Sequence, residues 1–228
     1  MTDLPHVAAA GEGPVRPGLD GRIRHLVSIG ALVALGDRHA MRTYMRVAME
    51  AGIGTEAVRE LLLQAVPYCG WPRALEGFES LGAVLEGMAG VRTGAHAGPE
   101  AGGGLSGEAY FRTVYGAKSD EVLSRMKGHH PALADWVLRH AYGEVLARPG
   151  LPPRVRECIA VGMLLVLGTQ STFLSHLRGA IAFGTTPDQL REVLSQVTLH
   201  IPEERARWAF ALLDLLPEAT PAAGGGVP

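Results

Sequence analysis

Residues 19–36 read LDGRIRHLVSIGALVALG, and residues 151–168 read LPPRVRECIAVGMLLVLG. When the chain is compared with itself at an offset of 132 residues, leucines, arginines and glycines coincide without a gap. The agreement continues downstream, where matched pairs include Arg46 with Arg178, Gly52 with Gly184, Arg59 with Arg191, Gln64 with Gln196 and Phe78 with Phe210. Matched arginine, glutamine and glycine rarely arise from chance alignment of leucine-rich segments, so the sequence predicts an internal repeat.

The glycines and prolines of each repeat predict four short helices. In the second repeat, Gly168 and Gly184 suit helix ends, and Pro202 suits a first helical turn. In the first repeat the fourth helix is expected to start at Pro72, which is two positions off the repeat register. The fold class predicted from this pattern is all-α.

Composition divides the chain further. We expect a disordered N-terminus at 1–18, a first repeat at 19–89, a flexible Gly/Ala-rich linker at 90–107, a second unit at 108–216 and a disordered tail at 217–228. The second unit begins with additional helical segments, among them an amphipathic stretch over 132–148.

Charge and hydropathy exclude several classes of partner. The net charge is -2 and no basic block is present, which argues against nucleic acid and anionic membrane as partners. The longest apolar run, 158–168, is too short to span a bilayer, and the N-terminus does not read as a signal peptide.

The two cysteines form no C-x-x-C motif and suit a reducing cytoplasm, although the sequence leaves one long-range disulfide open.

Four short motifs occur in an order typical of one family. They are QAVPYCGWP at 64–72, RHAYG at 139–143, RPGL at 148–151 and HLRGA at 176–180. On these motifs the chain resembles the carboxymuconolactone decarboxylase family. The resemblance implies two alkylhydroperoxidase D-like helical repeats related by a pseudo-two-fold, and a homo-oligomer, with a trimer of tandem chains as the natural assembly.

One departure from the wider family concerns peroxidase chemistry. The peroxidase branch, typified by alkylhydroperoxidase D, has C-x-x-C just ahead of a histidine, whereas this chain has Thr169 and Thr172 ahead of His176. The first repeat has Tyr44 at the matching position and no cysteine ahead of it. A hydroxyl cannot replace a low-pKa thiolate, so an atypical peroxidase is the least favoured reading.

The resemblance implies a lyase of aromatic-compound catabolism that decarboxylates a small carboxylated lactone, or carries out related lactone chemistry. Such a reaction needs groups that bind the leaving carboxylate, positive charge or hydrogen-bond donors at the lactone carbonyl oxygen, and a general acid that protonates the carbanion carbon. We expect no cofactor, because the unsaturated lactone itself accepts the electron pair. The competing hypothesis is a non-catalytic binding or scaffold protein with the same fold.

Arg, His and Tyr are suitable residue types for these roles. His176 is expected to point inward, on a stripe with Phe173, Leu177 and Ala180. The predicted catalytic residues are His176, Glu157 and His140, and the predicted substrate-binding residues are Arg148, Arg178, Tyr142, Tyr68 and Trp71.

Each of these candidates also has a structural reading. The histidines and tyrosines could be packed core residues, the arginines could be solvated, and Glu157 could pair with Arg154 or Arg178. No metal site is expected, because His129-His130 precedes Pro131 in a turn without a nearby carboxylate.

Overall fold

The computed structural model describes residues 18–88 and 104–216, and within these ranges the chain is helical without a β-strand. The first repeat consists of α1 (Gly21–Leu35), α2 (Arg38–Glu50) and α3 (Thr55–Gly87). The second repeat consists of α7 (Pro153–Leu167), α8 (Gln170–Ala182), α9 (Pro187–Val197) and α10 (Glu203–Asp214). Between them lie α4 (Gly107–Tyr115), a 3-10 turn (Gly116–Lys118), α5 (Ser119–His129), α6 (Pro131–Trp136) and a π-helix (Val137–Leu146).

The helix boundaries repeat at the offset found in the sequence. Both ends of α1 and α2 recur 132 residues later as the ends of α7 and α8. Gly36 and Gly168 end α1 and α7 in the left-handed conformation, with φ of 75° and 71°, where a side chain would be strained. The prediction of a tandem all-α repeat is confirmed.

The two repeats meet where α1 crosses α7. A Cβ atom on Gly30 would lie 3.1 Å from Ile159, and a Cβ atom on Gly162 would lie 3.2 Å from Val27. Gly30 and Gly162 are repeat-related, as are Val27 and Ile159, so each glycine admits the side chain that faces it from the other helix. This close crossing places both helices at the centre of the apolar core.

Ion pairs between the two repeats are reciprocal as well. The Arg156 side chain donates to the Leu151 carbonyl and pairs with Glu60 of the first repeat. Its repeat equivalent Arg24 donates to the Leu19 carbonyl and pairs with Glu192 of the second repeat, 2.9 Å away. A pseudo-two-fold relation requires this kind of exchange, in which each repeat supplies the acid for the other's arginine.

The fourth helix of the first repeat differs from the prediction. Helix α3 contains Pro67 and Pro72 and is interrupted between them at Gly70, where φ is 79° and ψ is 165°. Gly70 occupies the position of Pro202, so the break keeps the repeat register, and Pro72 lies in the first turn after it. Pro72 is tolerated there because a first-turn residue has no intrahelical N–H bond to lose.

Residues 107–146, hereafter the covering segment, form a smaller aromatic cluster beside the main core. Tyr110, Phe111 and Val114 of α4 pack with Tyr142 and Leu146 of the π-helix. Helix α4 also packs against α8 of the second repeat. The predicted helix over 132–148 is therefore present as α6 and the π-helix in succession.

The predicted disorder of the tails and the linker falls largely outside the described ranges, at residues 1–17, 89–103 and 217–228. Among the described helices, none combines the length and apolar character needed to cross a bilayer. Cys69 and Cys158 are both free, which answers the question of a long-range disulfide.

Candidate active site

His176 is held inside the protein by the packed face of α8. Phe173, His176, Leu177 and Ala180 are buried together, as the helical spacing predicts, and only 3% of His176 is exposed. The imidazole Nδ1 lies 2.9 Å from Oε2 of Glu157 on the neighbouring helix α7. Because Nδ1 is occupied by this contact, Nε2 is the nitrogen that remains for another partner.

Glu157 is a fully buried carboxylate in an otherwise apolar helix. Such a group needs hydrogen bonds to offset the loss of water. His176 supplies one, and the Tyr110 hydroxyl of the covering segment donates the other to Oε1 at 2.9 Å. These contacts replace the pairing with Arg154 or Arg178 that the sequence suggested, and they fix the orientation of the imidazole.

Tyr68 brings the first repeat into the site. It lies near the end of the first half of α3, just before the break at Gly70. Its hydroxyl is 3.4 Å from His176 Nε2, and the two rings meet edge-on with centroids 5.3 Å apart. The predicted combination of Tyr68 with His176 is therefore present, and the polar chain runs from Tyr68 through His176 and Glu157 to Tyr110.

Four of the five tyrosines belong to this hydrogen-bonded chain or pack beside it, and we call them the tyrosine shell: Tyr68, Tyr110, Tyr115 and Tyr142. Burial raises the pKa of each above the usual value of 10, and the Glu157 carboxylate raises the pKa of Tyr68 and Tyr110 further. All four hydroxyls therefore keep their protons at neutral pH. The Tyr142 hydroxyl is buried without a hydrogen bond of standard geometry to any described residue.

Arg148 is engaged elsewhere, at a cluster centred on Glu60. Its guanidinium donates to both oxygens of Glu60 at 2.9–3.1 Å, and the fully buried Arg156 donates to the same carboxylate at 2.8 Å. Burial raises the pKa of Glu60, but the hydrogen bonds and charges of the two arginines outweigh it and lower that pKa overall. Arg148 is thus held in an ion pair with Glu60 at the contact between the two repeats.

His140 and Trp71 meet at the surface, away from the buried histidine. Their rings stack with centroids 6.2 Å apart, and His140 Nδ1 lies 2.9 Å from Glu144. Together with Trp136 and Arg139 they line an open cavity of about 300 Å³. The two residues were predicted in one site with His176, and the structure brings them to a surface groove instead.

Arg178 lies two residues beyond His176 on α8, and its side chain is exposed. Residues two apart on a helix do not face the same way, so the inward direction of His176 turns Arg178 outward. The Arg178 side chain therefore points away from His176.

Sequence reasoning missed Tyr110, Tyr115 and Phe111, which the structure places in or beside the site. Tyr110 precedes Glu157 by 47 residues, and no motif connects them. The only available signal was the apolar spacing of Tyr110, Phe111 and Val114, which indicates a buried face but does not say what it covers.

Gly179 leaves no room behind the Glu157 carboxylate. A Cβ atom there would lie 2.6 Å from Glu157 Oε2 and 3.0 Å from Val114. Because His176 and Tyr110 hold the carboxylate, we expect Gly179→Ala to lower the free energy of unfolding by about 1–3 kcal/mol, as overpacking does. Urea denaturation measures this effect.

Gly82→Ala is the matched control for this substitution. Gly82 is also helical, and a Cβ atom there meets nothing within 4 Å. The change should be neutral or stabilising, since alanine is the better helix former. Equal stability of the Gly179→Ala and Gly82→Ala proteins would show that Glu157 is not held as described.

Comparison with known proteins agrees with this architecture. The model of the Carboxymuconolactone decarboxylase family matches residues 5–82 and 131–215, one segment in each repeat. A 4-carboxymuconolactone decarboxylase from Acinetobacter baylyi is 32% identical over 78 residues, which are 34% of this chain and 58% of that protein. Peroxisomal protein 2 from Schizosaccharomyces pombe is 25% identical over 148 residues, which are 64% of this chain and 69% of that protein.

The first of these relatives is matched over less than two thirds of its own length, whereas the family model covers more than half of this chain in two segments. Each matched segment covers most or all of one structural repeat, and the site takes Tyr68 from the first segment and His176 and Glu157 from the second. The chain belongs to the carboxymuconolactone decarboxylase family.

Proposed function

We propose that this protein is a carboxy-lyase that removes CO₂ from a small carboxylated lactone, or carries out closely related lactone chemistry, without a cofactor. The observation that carries the proposal is the buried His176–Glu157 pair with Tyr68 at the free imidazole nitrogen. A histidine that is oriented by a carboxylate and faces a phenol is a suitable general acid.

In the proposed reaction the C–CO₂ bond breaks and its electron pair moves through the conjugated system onto the lactone carbonyl oxygen. Hydroxyls of the tyrosine shell, such as that of Tyr142, stabilise the negative charge that develops there. His176 then delivers a proton from Nε2 to the carbanion carbon, while Glu157 stabilises the imidazolium through Nδ1. The electron pair returns to form the new C–H bond, so that CO₂ and the decarboxylated lactone are the products.

The substrate must reach Nε2 on the side that Tyr68 covers. His176 is 3% exposed, and Tyr110 and Glu157 close the opposite side. Access therefore requires the Tyr68 ring or the covering segment to move, a step for which lid-like displacements are common in enzymes. In the proposed mechanism Tyr68 gives its place at Nε2 to the carbon that is protonated.

The experiment is a CO₂-release assay with the purified protein and a panel of carboxylated unsaturated lactones, including 4-carboxymuconolactone. The proposal expects catalytic turnover with at least one member of the panel and its loss in a His176→Gln protein. Absence of turnover across the panel, with ligands that bind but are released unchanged, would favour the non-catalytic binding or scaffold protein. The dense aromatic packing around His176 is the observation that favours the non-catalytic protein as the second candidate.

A thiol peroxidase is disfavoured by both cysteines. Burial raises the pKa of Cys69 and of Cys158 to about 11, so roughly one thiol in 10⁴ is ionised at pH 7. We expect the Cys69→Ser/Cys158→Ser protein to keep the activity of the parent, and neither protein to consume alkyl hydroperoxide. Peroxide consumption that disappears in a folded double variant would show that a thiol mechanism operates after all.

We also propose that the protein acts in the cytoplasm as a homo-oligomer, with a trimer of tandem chains as the assembly. Large apolar side chains that remain exposed on this chain, including Trp71, Trp136 and Leu75, support the homo-oligomer.

A further inference from the structure

The pseudo-two-fold relation creates a second position equivalent to the His176 site. Applying the 132-residue offset exchanges His176 for Tyr44 and Tyr68 for His200. The structure brings these two together as well, with the rings of Tyr44 and His200 edge-on and their centroids 4.8 Å apart. Each of the two positions thus holds one tyrosine from the first repeat and one histidine from the second.

The second position differs from the first in its third member. Glu157 is replaced by His25, which is half-buried on α1. The Nε2 atom of His200 is buried and has no hydrogen-bond partner among residues 18–88 and 104–216. In the first position, the Tyr68 hydroxyl contacts the imidazole of His176. In the second position, the buried Nε2 of His200 has no such contact and lies beside the half-buried phenol of Tyr44.

We infer that Tyr44 and His200 form a second small-molecule site, which binds an uncharged carbonyl group such as that of an unsaturated lactone. A carbonyl oxygen accepts hydrogen bonds from a phenol and from an imidazole N–H, and would satisfy the buried nitrogen of His200. The inference stands on this second position and does not depend on chemistry at His176.

Charge around the second position favours a neutral ligand over a carboxylate. Burial lowers the pKa of His200 to about 4 although the nearby Asp37 carboxylate raises it, and burial also lowers the pKa of His25. Burial raises the pKa of Tyr44, so all three groups are uncharged at pH 7. An anion would lose its hydration without gaining a positively charged partner among these three groups, and the Asp37 carboxylate would repel it. A neutral carbonyl group avoids both costs.

The test is an NMR titration of the full chain with 2(5H)-furanone, an unsaturated γ-lactone, and with crotonate as an anion of similar size. Histidine ring signals are assigned with His200→Gln and His176→Gln proteins. We expect furanone to shift the His200 signals saturably and crotonate to leave them in place at the same concentration. Tyr44→Phe keeps the ring but removes its hydroxyl, and should weaken furanone binding roughly five- to tenfold, as expected for one hydrogen bond.

The inference is overturned if furanone leaves the His200 signals unmoved, if crotonate shifts them equally, or if Tyr44→Phe binds furanone as tightly as the parent protein. Thermal unfolding of Tyr44→Phe and His200→Gln ensures that the comparison is made between folded proteins. The His176→Gln protein separates the two sites, because it should lose turnover and retain the His200 response. A failed turnover assay would therefore leave the furanone response of His200 intact. A failed furanone titration would likewise leave turnover at His176 intact.

Discussion

Turnover of the proposed substrate should fall roughly 10²–10⁴-fold in a His176→Gln protein, the usual loss when a general acid is removed. Glutamine can still hydrogen-bond to Glu157 but cannot transfer a proton at neutral pH. The fall should appear in kcat more than in KM, because the proton is needed only as the carbanion forms. Steady-state kinetics of CO₂ release provide the measurement.

His39→Gln is the matched control, since His39 is exposed on α2 and lies outside the site. It should leave both kinetic constants unchanged. The urea midpoints of both variants have to be measured, because His176 is buried and its loss could unfold the protein. An equal fall in a folded His140→Gln protein would move the chemistry to the surface groove of Trp71 and Trp136 and contradict the assignment to His176.

The largest expected change in stability comes from Glu60→Ala. Arg156 is fully buried, and Glu60, which is 2% exposed, is the carboxylate that neutralises it across the repeat interface. Removing one partner of a buried ion pair leaves an uncompensated charge, which costs about 3–5 kcal/mol. Denaturation in urea or guanidinium chloride should therefore show a loss of that size, a large part of the stability of a typical domain.

Glu79→Ala serves as the surface comparison. It breaks the Arg38–Glu79 pair, in which both side chains are largely exposed, and should cost no more than about 1 kcal/mol. If Glu60→Ala is as mild as Glu79→Ala, the guanidinium of Arg156 finds other compensation, for example from the carbonyls of Arg148 and Pro149 that it already contacts.

The sequence was informative wherever neighbouring residues control the structure. The ends of α1 and α7 are set by glycines that can adopt positive φ, and these glycines recur at a fixed offset. The inward direction of His176 was likewise predictable, because it follows from the spacing of apolar residues along one helix. The break in α3 was displaced by two residues, since Pro72 is the stronger signal in sequence and Gly70 is the residue whose backbone turns.

Partners between distant segments could not be read in the same way. Glu157 was expected to pair with an arginine, yet it contacts His176 and Tyr110, because the crossing of α7 with α8 and the position of the covering segment decide what lies beside it. Arg148 was expected at a substrate, yet it binds Glu60, which becomes its neighbour only when α3 packs against the π-helix. His140 and Trp71 meet each other through the same packing.

By itself, then, the sequence determined the repeat, the helical class, the family and the inward placement of His176, all of which depend on local spacing or on matched motifs. Only the tertiary structure decided that the site is shared between repeats, that Tyr68 faces His176 while Tyr44 faces His200, and that the arginines serve the repeat interface. The physical reason is the close crossing of α1 and α7 at Gly30 and Gly162. That crossing sets which side chains of one repeat reach those of the other, and no periodicity within a single helix encodes it.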